Sequence, residues 1–224
     1  ANTEKLLTEA QDALSTPSNV YGMFSNADLE FEDAIDKDGQ AYPLTQGTFI
    51  KYLESDDREL RASAFRNVYK AYGAHNNTLG ATLAGEVKKN VFNARTHHYR
   101  SARERALSNN HIPEAVYDNL IKTVHKYLPL LHRYTKLRQE LLGLDDLKMY
   151  DLYTPLVKDV KFEMPYEEAK SWMLKALEPM GEEYLNVVKE GLDNRWVDVY
   201  ENKGKRSGGY SSGGHLTNPF ILLN

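Results

Sequence analysis

The chain has 224 residues, enough to bury most of the surface its unfolded form exposes in one large domain or two small ones. Its 28 Lys and Arg against 32 Asp and Glu leave a formal net charge of −4, a slightly acidic balance that argues against a nucleic-acid footprint. Cysteine is absent, which excludes disulfides, thiolate catalysis and Cys-ligated zinc, and no run of about 18 apolar residues exists to span a membrane.

The first segment, Ala1 to Leu14, reads as a helix because Leu6, Leu7, Ala10 and Leu14 fall at helical spacing. It lacks the basic start and apolar middle of a signal peptide. Ser15-Thr16-Pro17-Ser18-Asn19 has the composition of a loop. Asn26 to Thr45 reads as a β-hairpin: Leu29, Phe31 and Ile35 lie on one arm, Ala41 and Leu44 on the other, and Asp38-Gly39 supplies a turn that tolerates positive φ. Ser55-Asp56-Asp57 opens the next helix, with Ser55 as cap and the acids at the positive end of its dipole. Leu60, Ala64, Val68 and Ala71 continue it to Gly73, and Leu79, Leu83, Val87 and Val91 mark a second helix of the same period.

Pro113 opens a third long helix, striped by Val116, Leu120, Val124, Leu128 and Leu131, with a kink expected at Pro129 and a stop at Gly143. Pro165 to Glu178 and Met180 to Leu192 read as two further helices separated near Pro179 and Gly181. Beyond Arg195 the pattern changes. Trp196 to Tyr200 is strand-like, Gly204 to Gly214 holds five glycines, and Phe220-Ile221-Leu222-Leu223 is short and apolar enough for a buried strand. No internal repeat is present.

The side chains that could carry chemistry do not converge in the sequence. A helical zinc site of the H-E-x-x-H kind needs two histidines one turn apart with Glu after the first. None of His75, His97, His98, His111, His125, His132 and His215 is followed by Glu, and no two are four apart. His125 and His132 share a helix face but lack a third ligand nearby, and His97 and His98 point to different faces. The doublets Glu167-Glu168 and Glu182-Glu183 diverge by about 100° around a helix and cannot share a proton. The Gly-rich stretch fails as a phosphate cradle, because Lys205 precedes the glycines and a strand follows them. It remains either an ordinary hairpin or a strand whose glycines admit the backbone of an extended peptide. From the residues alone the chain is mainly α, with a Gly-rich hairpin near its C-terminal end.

Several stretches resemble the oligoendopeptidase F branch of the thimet-type metallopeptidases. They are Asn26-Ala27-Asp28-Leu29 with Phe31, Leu53-Glu54-Ser55, Arg58 to Tyr69, Ile112 to Ile121, and Tyr150-Asp151-Leu152-Tyr153 with Pro155-Leu156. The most specific are Gly204 to Gly213 and Thr217 to Asn224. The resemblance implies a helical peptidase fold with small antiparallel hairpins, enclosing its substrate in a cleft. It divides the chain into a helical region, 1–194, with the hairpin near 26–45, and the start of a catalytic subdomain, 195–224. In that family two histidines and a later Glu bind zinc and a further Glu activates water. No position of this sequence matches those residues, so the resemblance places no catalytic or metal-binding side chain in it.

What the resemblance does imply is a substrate-side strand at Gly208, Gly209, Tyr210 and Ser211, whose backbone pairs with a peptide. It also implies a cytoplasmic parent enzyme that takes Zn2+, acts on oligopeptide substrates and needs the remaining segments of the same peptidase. On this reading the present chain binds no zinc and is inactive alone, and no nucleic acid or membrane is a partner. The apolar run at 220–223 leads to the same expectation, since a strand of that kind requires further chain to cover it. The rival reading is a non-catalytic helical module that binds peptides or a protein.

Overall fold

The computed structural model describes residues 2–157, 164–202, 205 and 208–223. Of the Gly-rich stretch, Gly204, Arg206 and Ser207 therefore lie outside the described residues, as do Ala1 and Asn224 of the terminal segments. The architecture is mainly α. Its helices are α1 (Asn2–Leu14), α2 (Thr16–Met23), α3 (Thr48–Leu53), α4 (Arg58–Gly73), α5 (Asn76–Thr96), α6 (Ala102–Ser108), α7 (Glu114–Leu142), α8 (Tyr166–Ala176) and α9 (Glu182–Asp193). Among the described residues five short strands accompany them: β1 (Ala34–Ile35), β2 (Ala41–Tyr42), β3 (Val197–Asp198), β4 (Tyr210–Ser212) and β5 (Phe220–Leu222). The chain forms two compact units, one combining Ala1–Phe31 with Arg66–Leu152 and the other Glu32–Phe65 with Tyr153–Asn224.

In the first unit the expected loop at 15–19 is helical instead, and forms the start of α2. Pro17 sits in the first turn, where its missing N–H costs nothing. Its ring packs against α5 at Gly85, where an added Cβ would come within 2.9 Å of Pro17 Cγ. The close approach of these two helices thus depends on the missing side chain. The α5 stripe read from the sequence is not the packed face, for Leu83 and Val87 are 66% and 53% exposed. Phe24 is the buried anchor of a π-helical turn, Phe24–Asp28, and meets Tyr72 and His75 edge-on at 6.2 and 4.9 Å between ring centroids. That turn removes 26–28 from the expected hairpin.

Helix α5 ends at Thr96, so His97 is its C-cap and His98 has left-handed φ. Arg103 ties α6 to the first two turns of α7 through Glu114 at 2.7 Å and Asp118 at 2.9 Å. Helix α7 has Pro113 as its N-cap and runs through Pro129 to Gly143. There the left-handed φ of +65° lets Gly143 N–H reach Glu140 O and Leu144 N–H reach Gln139 O, both at 3.1 Å.

In the second unit the hairpin shrinks to β1 and β2, paired Ala34 with Tyr42 and Ile35 with Ala41. Asp36 organises its turn: Oδ1 accepts from Asp38 N–H at 3.0 Å and Gln40 N–H at 2.8 Å, while Gly39 takes φ +82°. Helix α4 is capped by Asp57 rather than Ser55. Asp57 Oδ1 accepts from Glu59 N–H at 2.9 Å, and its Oδ2 accepts from Lys37 N–H at 3.0 Å. One carboxylate therefore joins the helix start to the hairpin turn. Ser63 Oγ accepts from Ile35 N–H at 2.8 Å, and Ala34, Leu44, Leu53, Leu60 and Ala64 are buried. Farther along the chain, Thr45 Oγ1 donates to Glu201 Oε1 at 2.9 Å, linking the segment after the hairpin to the loop after β3.

Candidate functional site

The C-terminal strands build a three-stranded sheet in the order β3-β5-β4. β5 is central, antiparallel to β4, with Tyr210, Ser211 and Ser212 opposite Leu222, Ile221 and Phe220. β3 pairs with β5 in parallel, Val197 with Ile221 and Asp198 with Leu222. The Gly-rich hairpin is thus present, but the parallel partner is a long-range addition that a hairpin pattern does not announce. Its connection turns at Gly214–Thr217, where Thr217 Oγ1 both accepts from Gly214 N–H at 2.9 Å and donates to Gly214 O at 3.0 Å.

Side chains alternate across a sheet, so its two faces differ. Ser211, Ile221, Leu223 and Val197 share one face, which looks into an apolar groove of about 750 Å³ walled by α8 and α9. Met173, Leu177, Tyr184 and Trp196 are among the other residues that line it. Trp196 packs on the bare Cα of Gly191 in α9. The Tyr166 hydroxyl at the groove is buried with no hydrogen-bond partner among the described residues, and burial pushes its pKa up. Tyr210, Ser212, Phe220 and Leu222 share the opposite face, where the Tyr210 and Phe220 rings lie 6.2 Å apart and are 55% and 43% exposed.

The four residues expected to face substrate all lie along one edge of this sheet. β4 has no strand partner on its outer side among the described residues. Gly208 bends the chain into β4 with φ +102°, a conformation that side chains rarely adopt. Gly209 is tight on its inner side instead, since an added Cβ would meet Leu222 O at 3.4 Å. Its lack of a side chain serves the approach to β5. Tyr210 and Ser211 form the first two residues of the exposed edge.

Lys205, no phosphate ligand by its place in the sequence, has a defined structural role in this geometry. Its side chain is 6% exposed. The ammonium donates to Tyr200 O at 2.6 Å and Asp198 O at 3.2 Å, and pairs with Asp198 Oδ1 at 3.2 Å. Asp198 O also accepts from Leu223 N–H at 2.8 Å, so the lysine grips the end of the β3–β5 ladder.

His125 and His132 are exposed along α7, and His215 lies in the exposed β4–β5 turn. Among the described residues no three His, Cys, Asp or Glu side chains form a group able to hold a metal ion, so the described residues do not fit a catalytic zinc. No described helix is long and apolar enough to cross a membrane.

Residues 51–224 match Peptidase family M3. The chain is 58% identical over 221 residues to oligopeptidase PepF of Bacillus subtilis, covering 99% of this chain and 33% of that protein. It is 47% identical over 223 residues to group B oligopeptidase PepB of Streptococcus agalactiae, covering 100% of this chain and 37% of that one. The crystal structure of oligoendopeptidase-F from Enterococcus faecium superposes with a TM-score of 0.68 at 42% identity, over 87% of this chain and 36% of that one. The chain therefore spans about a third of the length of the curated relatives it matches. The family match runs through the Gly-rich strand and the helices before it, and the chain belongs to peptidase family M3.

Proposed function

We propose that this chain forms the substrate-facing wall of a zinc-dependent oligopeptidase that hydrolyses internal bonds of short peptides. The observation that supports this most directly is the open outer edge of β4, lying in a chain of an established peptidase family. An extended peptide would add to that edge as a further strand. Its backbone would pair with Gly208, Gly209, Tyr210 and Ser211, and every second side chain would meet the Tyr210–Phe220 face. Main-chain pairing of this kind supplies affinity without demanding one sequence, which suits an enzyme that takes many short peptides.

The zinc and the water-activating carboxylate would be supplied by other segments of the parent enzyme, a cytoplasmic protein on this reading. Consistent with that, the relatives are about three times as long as this chain. The 224-residue chain alone is expected to bind no stoichiometric zinc and to cleave nothing. Metal analysis and a quenched-fluorescent-peptide assay, run on this chain and on the full-length protein, test the proposal. Zinc-dependent cleavage by the full-length protein together with an inert fragment supports it. Robust cleavage by the fragment refutes the division of labour, and a full-length protein that binds peptides without cutting them establishes the non-catalytic module instead.

A further inference from the structure

We propose that the groove between the sheet and helices α8 and α9 is the seat of an amphipathic helix from another part of the parent peptidase. This rests on the reading above, in which other segments of the parent act with this chain. The groove holds about 750 Å³. Val197, Ile221 and Leu223 line it from the sheet, and Met173, Leu177 and Val187 line it from the helices. Its apolar surface is open: Val187 is 52% exposed, and Met180, in the turn before α9, is 58% exposed. A contiguous apolar concavity of this kind marks a surface that another element covers.

The lining decides what can enter. Its polar side chains are Tyr166, Glu183, Tyr184 and the indole N–H of Trp196, set among carbon. An extended peptide laid there would bury most of its N–H and C=O groups without partners, and each such group carries a desolvation cost. The groove has no strand edge to offer it. β5, which brings Ile221 and Leu223 to the lining, is paired on both sides, with β3 and with β4. The open edge is the outer side of β4, so substrate and groove occupant are different partners on different surfaces. A helix satisfies its own backbone and presents only a stripe of side chains at i, i+3, i+4 and i+7, the shape that apolar grooves receive.

The source of that helix follows from size and symmetry. This chain matches 33% and 37% of two relatives while being covered almost completely itself, so about two-thirds of each relative lies outside the match. A helix tethered in the same polypeptide meets the groove at high effective concentration. A second copy of this chain is the poorer occupant. A concave groove cannot fill its own twin, so a convex helix of the second copy would have to enter it. Contact between unlike surfaces does not close on two molecules but continues into rings or filaments.

The test uses the full-length peptidase with the photoreactive residue p-benzoylphenylalanine in place of Val187. Irradiation in dilute solution, digestion and mass spectrometry locate the crosslink. The expected result is a bond within one molecule, from position 187 to a segment outside these 224 residues that carries apolar residues at helical spacing. A crosslink between two molecules overturns the proposal in favour of self-association. A crosslink confined to the 224 residues, or to an added peptide substrate, overturns it as well, and so does the absence of any crosslink in a folded variant. A second readout needs no substitution. Met173 and Met180 line the groove, so in the native full-length protein peroxide should oxidise both about tenfold more slowly than in the unfolded chain. Oxidation at the unfolded rate means an open groove and overturns the proposal even if the variant fails to fold. Neither measurement depends on turnover. A parent that cleaves no peptide defeats the peptidase reading, and these two results still decide what fills the groove.

Discussion

Two helical glycines make opposite predictions under the same substitution. Gly191 lies in α9, buried beneath Trp196, and a Cβ built there stands 2.7 Å from Cε3, 3.2 Å from Cδ2 and 3.3 Å from Cζ3 of the indole. Relaxed carbon contacts sit at about 3.5–4.0 Å, so the ring must retreat by about 1 Å. The backbone of Trp196 cannot follow freely. Its N–H donates to Gly191 O at 3.2 Å and its carbonyl accepts from Ile221 N–H at 2.7 Å, at the register of β3 against β5.

Overpacking of this kind costs about 1–3 kcal/mol. Replacing glycine by alanine inside a helix returns up to about 1 kcal/mol. Gly191→Ala should therefore destabilise by up to about 2 kcal/mol, the difference of those two effects. Gly80 lies inside α5 with nothing within 4 Å of an added Cβ, so Gly80→Ala should stabilise by up to about 1 kcal/mol. Urea unfolding followed by circular dichroism measures both midpoints against the parent protein. Tryptophan emission reports the groove directly, because the chain's two tryptophans are Trp172 in α8 and Trp196 in the groove wall. The reasoning fails if Gly191→Ala raises the midpoint as Gly80→Ala does, or leaves the indole emission unchanged.

Burial alone would raise the pKa of Asp57, but the N–H groups of Lys37, Glu59 and Leu60 outweigh it and hold the carboxyl below its ordinary value of 3.8. A lowered native pKa means that the charged form stabilises the fold above 3.8 and that this share is lost as pH falls through 3.8 and then through the lower native value. Asp57→Ala should cost about 1–2 kcal/mol at neutral pH, and stability curves should converge with the parent's in acid; a constant gap down to pH ~2 would refute the capping account. At the candidate site, Tyr210→Ala in the full-length enzyme should lower kcat/KM about fivefold for peptides with an apolar side chain over the aromatic pair. Peptides with glycine at that position should change little, and an equal loss for both would contradict the proposed side-chain contact.

The local rules were legible wherever one short-range effect dominated. Helical spacing located α1, α4, α5 and α7, glycine marked the end of α7, and Asp38-Gly39 marked the hairpin turn. Composition misled at Thr16–Asn19, where loop-favouring residues form the first turn of α2 because Pro17 finds a seat on Gly85. The cap of α4 shifted from Ser55 to Asp57 because only Asp57 also reaches the hairpin turn. Helix α3 escaped notice because six residues are too few to display a period.

The sequence by itself determined that the chain is mainly helical, that a Gly-rich hairpin lies near its C-terminal end, and that no H-E-x-x-H motif is present. These follow from short-range periodicity, backbone freedom and residue identity. The tertiary structure alone decided which helix faces pack, that β3 joins β5 in parallel, and that β4 is left as the open edge. It also decided that Lys205 is buried among three oxygens rather than free in a loop. Those outcomes depend on pairings between residues far apart in the chain, and apolar spacing along one segment carries no information about which partner will reach it.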